Sequence, residues 1–570
     1  MTAHSGADPF TTEVISSCLV AITGEMKANL MRTAYNMIIY EAEDFTVGLY
    51  DAQGNTISIG LGLPMFIRGL SDTIKAKLAH WGRDNIEPGD MLLTNASEVH
   101  GSHLNHLIFT MPVFNAGELM GFASSMAHWI DVGGAPNSGA VTRDIYSEGL
   151  QIPFVKIFRR GVQNQEITDL IRCNCRMPDL AMGDFRAQVA AVRTGEQRLS
   201  ALLRRYGNDA FADAVRMIFD ASERHARSVL RSIPDGRYEA ESFMDDDGVA
   251  RGEHIPIKVC VEIIGDNMTI DLSGVGPQVA GYFNSGSTAG RSAAQVAFKC
   301  ITTPLLLPIN DGAIRPLKIV LPPGTVVSAT REAAKRWWMT VPMTVIDTIF
   351  KALAPACPRL VPAAHHGDLN LAGGGFGAVF DANGQSATVC INDGDTHNHP
   401  IEATEAKSAS IFVRRALRPD SGGPGLFRGG LGVIEEVEVS RAGWFASKLE
   451  RTQCAPWGLF GGGEALPNRM SIVRQGGNIE RFPTGKIELT YLEPGDATLT
   501  EMGGGGGYGN PFERPPERVL ADVRSGYVSL AAAARDYGVV IRQQGRHLEL
   551  DTGATLRERA AGHALHTDRP

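Results

Sequence analysis

Four histidines fall close together in the chain: His100, His103, His106 and His128. A neutral imidazole offers a lone pair to a metal ion, so two or three of them brought together form a natural binding site. Whether they meet depends on the segment between them. Leu107 to Phe114 is an apolar run, Asn115-Ala116-Gly117 has turn chemistry, and Glu118 to Trp129 is a second apolar run. That pattern predicts a β-hairpin. With Ala116 at the centre of the turn, His128 is expected opposite Leu104, and His106 opposite Met126. His103, His106 and His128 then meet at the open end, within the roughly 7 to 8 Å of diagonal strand neighbours. Taken singly, a His-x-x-His spacing is more often a pair of solvated or hydrogen-bonded side chains. The hairpin, by adding His128, is what favours a metal. Asp44 and Asp131 are the candidate carboxylates, and one Asp beside three imidazoles suits Zn, Fe or Mn. His365-His366 and His397-Asn398-His399 are further candidates with weaker spacing.

These residues need a scaffold, and the periodicity supplies one. Val14, Leu19, Ile22, Met26 and Leu30 recur at helical spacing, predicting a long leading helix. Phe45 to Ile59 reads as strand, turn and strand around Asp51-Ala52-Gln53-Gly54-Asn55. A helix over Ile67 to Trp81 leads to the strand Met91 to Thr94. Amphipathic helices follow Met182 and span Phe211 to Leu230. Beyond Ile233-Pro234-Asp235-Gly236 strands dominate, notably Ile255 to Ile264 and Asn267 to Leu272. Helices are inserted near Ala293 to Cys300 and Val345 to Leu353. Asp420 to Gly509 holds short strands between glycine clusters, which mark tight turns and close backbone approach. Pro515 to Tyr537 reads as helical, with fraying expected after Gly553. The expected class is α+β and multi-domain. Residues 1–232 form a mixed domain with the metal-bearing hairpin, 233–420 a β-rich middle domain with inserted helices, and 421–570 a Gly-rich β module with a short helical tail.

Composition narrows the function. A net charge of -9 over 570 residues, without a clustered Lys/Arg stripe, argues against nucleic acid. No apolar run approaches the roughly eighteen residues that span a bilayer. Met1 to Pro9 lacks a basic stretch and an apolar core, so cytoplasm is the expected compartment. The 8 cysteines are scattered and read as reduced. No G-x-x-x-x-G-K-[ST] loop is present, and Gly286 to Ser292 lacks the lysine, so ATP is not expected to bind here.

Longer motifs carry a resemblance. They are Asp44-Phe45, Gly101-Ser102-His103-Leu104, Ala127-His128 with Asp131-Val132-Gly133-Gly134, and Glu148-Gly149-Leu150. Further on come Gly183-Asp184 with Arg186-Ala187-Gln188, Arg418-Pro419-Asp420-Ser421-Gly422-Gly423, Arg428 to Gly432, Pro456-Trp457-Gly458 and Gly503 to Gly509. With these motifs the chain resembles the hydantoinase B/oxoprolinase family over nearly its whole length. The resemblance implies metal ligands at Asp44, His103, His106 and His128. Where the family usually reads His-Leu-Pro-Asp, this chain has His103-Leu104-Asn105-His106. An imidazole in place of a carboxylate leaves the ion more electrophilic.

The resemblance further implies an ATP-dependent, two-component hydrolase that opens the C–N bond of a hydantoin, oxoproline or lactam. A hydantoinase A-type subunit would bind ATP and phosphorylate the substrate carbonyl oxygen, and this chain would hold one divalent metal in a hetero-oligomer. Water activated by that metal would attack the carbon that bears the phosphorylated oxygen. Asp131, and after it Glu148, are the expected proton acceptors. Two other readings fit the same resemblance. One is a ketone carboxylase of the acetone or acetophenone type, in which Arg331 to Trp338 binds an anionic or aromatic substrate instead of forming a packed interface loop. The other is a non-catalytic structural partner.

Overall fold

The structure is a computed structural model describing residues 7–135, 141–303, 308–368, 372–389 and 397–566, the last six without side chains. It is mixed α+β and groups into two compact units. One comprises Met1–Glu239, Ile257–Ile346 and Asn392–His397; the other comprises Ala240–Pro256, Asp347–Ile391 and Asn398–Pro570. Residues 233–420 are thus shared between them. Among the described residues no helix is long and apolar enough to cross a membrane.

The first unit is built on a seven-stranded antiparallel sheet. Its strands are β1 (Phe45–Asp51), β2 (Thr56–Leu61), β3 (Met91–Thr94), β4 (His106–Asn115), β5 (Glu118–His128), β6 (Val155–Arg159) and β7 (Val162–Gln163), in spatial order β2-β1-β5-β4-β3-β6-β7. The helix Pro9–Thr33 starts where Asp8 accepts from the amides of Phe10 and Thr11, with Pro9 in the first turn. Its stripe of Ile15, Leu19, Met26 and Leu30 is wholly buried in the same core as Val47, Phe109 and Ala123 of the sheet. The helix Pro178–Tyr206 covers that face too. A Cβ at its Gly195 would sit 2.5 Å from Met26 Sδ and 2.9 Å from Ala123 Cβ, so a larger residue there would displace the Met26 side chain and crowd the sheet.

The hairpin forms, but its register differs from expectation. Ala116 and Gly117 both have positive φ, 50° and 82°, which makes a two-residue turn of the primed kind that matches strand twist. Asn115 therefore faces Glu118. A bulge between Val113 and Phe114 adds one more step, and His106 ends directly opposite His128 instead of Met126. Counting outward from Ala116 allowed for neither shift.

In the second unit a five-stranded sheet and two two-stranded ribbons lie among glycine loops. The expected close backbone approach is present: a Cβ on Gly429 would lie 1.7 Å from the Gly505 carbonyl oxygen. The tail departs from expectation. Thr552–His566 is helical where fraying was expected, nucleated by Asp551, whose Oδ1 accepts from the Ala554 amide at 3.0 Å.

Candidate metal centre

The four proposed ligands come from separate places in the first unit and meet at one end of its sheet. His106 begins β4 and His128 ends β5. The β1–β5 pairing runs to Phe45↔Ala127, and the His128 amide donates to the Asp44 carbonyl at 3.0 Å, setting Asp44 level with His128. His103 arrives on the loop just before β4. The ring centroids lie 4.5 Å apart for His103 and His106, 4.8 Å for His103 and His128, and 5.2 Å for His106 and His128. His106 Nε2 is 3.0 Å from Asp44 Oδ1.

Asp44 and His106 are buried, and His103 and His128 are half-buried. Burial, and then the neighbouring imidazoles, hold His103 and His106 well below the usual histidine range. His128 is lowered by burial against the pull of Asp44, and burial raises the Asp44 carboxyl to about 6. Neutral imidazoles are the form a metal requires. His103 Nδ1 lies 3.1 Å from the Arg336 carbonyl oxygen, so Nδ1 carries the proton and Nε2 keeps its lone pair. His103 Nε2 and His128 Nδ1 are buried without a hydrogen-bond partner. Two donors bound to one ion at about 2.1 Å sit roughly 3.0 to 3.4 Å apart, and the Asp44–His106 pair falls at that spacing. The donor set therefore fits a divalent ion chemically. As placed, among the described residues no group of three or more His, Cys, Asp or Glu side chains has its donors set to hold an ion. Closing these four on one takes side-chain rotation within the cluster.

Apolar rings wall the site. Phe66 meets His106 edge-on at 4.8 Å, and Trp338 lies 6.1 Å from His106 and 6.5 Å from His103. Trp338 belongs to the cationic and aromatic segment Arg331 to Trp338, which is packed within this unit. Lys335 Nζ donates to the carbonyls of Thr330, Arg331 and Ala333, and the Arg336 guanidinium donates to those of Ala135 and Glu148.

The two carboxylates expected to move protons are engaged elsewhere. Asp131 is paired with Arg176, accepting from its guanidinium at 2.8 Å and from its amide, and from the Gly133 amide at 3.2 Å. Glu148 Oε1 accepts from Thr142 Oγ1 at 2.8 Å and from the amides of Lys335 and Arg336 at 2.9 and 2.8 Å. No hydrogen bond of either reaches the four proposed ligands. His365 lies in the second unit, 2.6 Å from Asp347 Oδ2, and His397 Nδ1 is 4.0 Å from Glu43 Oε1.

Supporting residues hold the sheet end in place: Asn36, which the sequence did not single out, and Gln188 and Asp184, which it showed only as members of a motif. Asn36 Nδ2 donates to the His128 carbonyl at 3.0 Å. Gln188 accepts from Trp129 Nε1 at 2.8 Å and donates to the Leu107 carbonyl at 3.0 Å. Asp184 Oδ1 accepts from the amides of Tyr35 and Asn36.

Asp184 also sets a pH dependence. Burial raises its carboxyl from 3.8 to about 6. The folded state thus binds this proton more tightly than the unfolded chain. The stability Asp184 contributes is greatest below about pH 4 and is lost as pH rises through about 6. Asp184→Asn keeps an acceptor for both amides but cannot ionise. It is expected to remove a loss of about 3 kcal/mol between those limits, read by calorimetry of both proteins at pH 4 and pH 7. Parallel profiles would overturn the assignment.

The family model described as hydantoinase B/oxoprolinase matches residues 8–511. The chain belongs to this family. A protein named as the B component of a D-/L-hydantoinase, from Pseudomonas sp. (strain NS671), is 31% identical over 94% of this chain and 95% of its own length. The crystal structure of the ATP-dependent caprolactamase from Pseudomonas jessenii superposes with a TM-score of 0.88 at 29% identity, over 97% of this chain and 100% of that one. A nucleotide-free acetone carboxylase structure shares the fold, with a TM-score of 0.90 at 18% identity over 99% of this chain and 84% of that one.

Proposed function

We propose that this chain is the metal-binding catalytic subunit of an ATP-dependent, two-component hydrolase that opens a small cyclic amide. The observation that carries the reading is the gathering of Asp44, His103, His106 and His128, with two bare buried ring nitrogens, in a chain of the hydantoinase B/oxoprolinase family.

Asp44, His103, His106 and His128 would hold one divalent ion, Zn, Fe or Mn. When bound, such an ion supplies Lewis-acid activation of water and of a carbonyl oxygen. The chain's own residues supply the rest. The Arg336 carbonyl holds the His103 ring in one tautomer, Phe66 and Trp338 exclude bulk water, and the low dielectric they create strengthens each polar contact inside. Unstrained cyclic amides resist attack because of amide resonance, which phosphorylation of the carbonyl oxygen removes. No phosphate-binding loop occurs in this sequence, so that step falls to an ATP-binding partner of the hydantoinase A type.

The test is reconstitution with such a partner and a panel of hydantoin, 5-oxoproline and ε-caprolactam. ATP-dependent ring opening of at least one, with no effect of added bicarbonate, is expected. Turnover of ketones that requires bicarbonate would move the assignment to a carboxylase.

A further inference from the structure

We infer that Ser102 and His100 form a positioning relay that decides which ring nitrogen His106 turns toward Asp44 and the other histidines. The inference rests on the metal reading above, but its structural core can be checked without a metal.

The argument is a count of protons. The Ser102 amide donates to His100 Nδ1 at 3.2 Å, so that nitrogen carries no hydrogen. Ser102 Oγ is 2.7 Å from the same nitrogen, a separation that needs a hydrogen between them. It has to come from the hydroxyl. With its single hydrogen used, Ser102 Oγ meets His106 Nδ1 at 2.8 Å as an acceptor, so Nδ1 of His106 is protonated. A neutral imidazole has one N–H, and His106 Nε2 is left bare. It then faces Asp44 Oδ1 at 3.0 Å, lone pair toward carboxylate. Two acceptors at that distance need a proton or a cation with them, and a cation satisfies both at once.

Reversing the relay fails on the same count. A proton on His100 Nδ1 would point at the Ser102 amide hydrogen. The geometry is also enclosed: His100, Ser102 and His106 are 4%, 1% and 0% exposed, so water does not substitute for the hydroxyl. His103 reaches the same tautomer by donating to a carbonyl. A carboxylate presents equivalent oxygens, whereas an imidazole has to be told which nitrogen to offer.

The test uses histidine labelled with nitrogen-15 in the full chain, purified with chelator and studied by magic-angle-spinning NMR. The His106 signal is identified by its absence in His106→Asn. We expect the Nδ1–H tautomer in the wild type and in Ser102→Thr, which keeps the hydroxyl, and a shift toward Nε2–H in Ser102→Ala. Competition with a chelator for zinc should show Ser102→Ala weakened about 10- to 100-fold, the usual loss on removing a group that orients a ligand, with Ser102→Thr close to the wild type. An Nε2–H tautomer in the wild type, or a Ser102→Ala protein equal to it in both readouts, overturns the relay. If Ser102→Ala does not fold, the wild-type and Ser102→Thr spectra still decide. A wild type that takes no zinc while showing Nδ1–H would sink the metal reading and leave the relay standing.

Discussion

Replacing His103 and His128 together by alanine is expected to strip the chain of its divalent ion and to slow amide opening by the reconstituted complex about 10³-fold or more. The size follows from the several kcal/mol that a bound ion contributes to charge stabilisation in hydrolysis, at about 1.4 kcal/mol per tenfold. These two side chains are chosen because their ring nitrogens, His103 Nε2 and His128 Nδ1, are buried and unpartnered. Removing them breaks no bond from those two atoms and, on the other side of the His103 ring, only the one hydrogen bond to the Arg336 carbonyl, so the loss should appear in metal content before it appears in folding. Inductively coupled plasma mass spectrometry of wild type and variant, beside their unfolding temperatures, makes the measurement. About one equivalent of Zn, Fe or Mn in the wild type and none in a folded variant supports the metal centre. A metal-free wild type, or full turnover by the variant, would favour a subunit that only completes the assembly.

Glu148 should behave as a structural anchor. Its Oε1 gathers three donors, two of them the amides of Lys335 and Arg336, and the Arg336 carbonyl in turn accepts from His103. Burial raises its carboxyl, opposed by the Thr142 hydroxyl and Arg336. Glu148→Ala leaves those two amides and the Thr142 hydroxyl without their buried acceptor. About 1 to 3 kcal/mol is expected for each buried donor left unpaired, seen as a fall of several degrees in the unfolding temperature and as weaker metal retention. Glu148→Gln preserves the acceptor and should keep most turnover. If Glu148 were the proton acceptor, Glu148→Gln would cost about 10²- to 10⁴-fold in kcat with little change in stability. Asp131→Asn is the natural companion. Its Arg176 pairing predicts unchanged kcat, and a fall of that same size would return it to the chemistry.

Much of the meeting of these side chains was legible because its parts are local. The hairpin announces itself through two apolar runs and an Asn-Ala-Gly turn, and three of the four proposed ligands lie on it or beside it. Asp44 was one of two carboxylates the residues alone left open, and only the longer motifs preferred it to Asp131. The strand ends explain the preference: Asp44 is level with His128 across β1 and β5, while Asp131 is turned toward Arg176. What stayed hidden depends on long-range meetings. Arg336 reaches His103 across 233 positions, and Gln188 reaches Leu107 across 81. No periodicity encodes such pairs. Ser102 was visible only as part of a motif, since its role comes from two ring nitrogens whose directions are set by folding.

The tip of the hairpin carries a constraint out of proportion to its surroundings. Ala116, Gly117 and Glu118 are exposed, and loop tips of that kind ordinarily tolerate gain or loss of a residue over evolutionary time. Here the turn and the bulge each move the pairing by one, and only their even sum leaves His106 and His128 on the same face. One codon added or removed about 30 Å away, at some 3.4 Å per residue along β4, would send one histidine to the opposite side. Descendants of this sequence can vary the letters at the tip only among residues that accept positive φ and must conserve its length, so an indel there would mark a lineage that has abandoned the site.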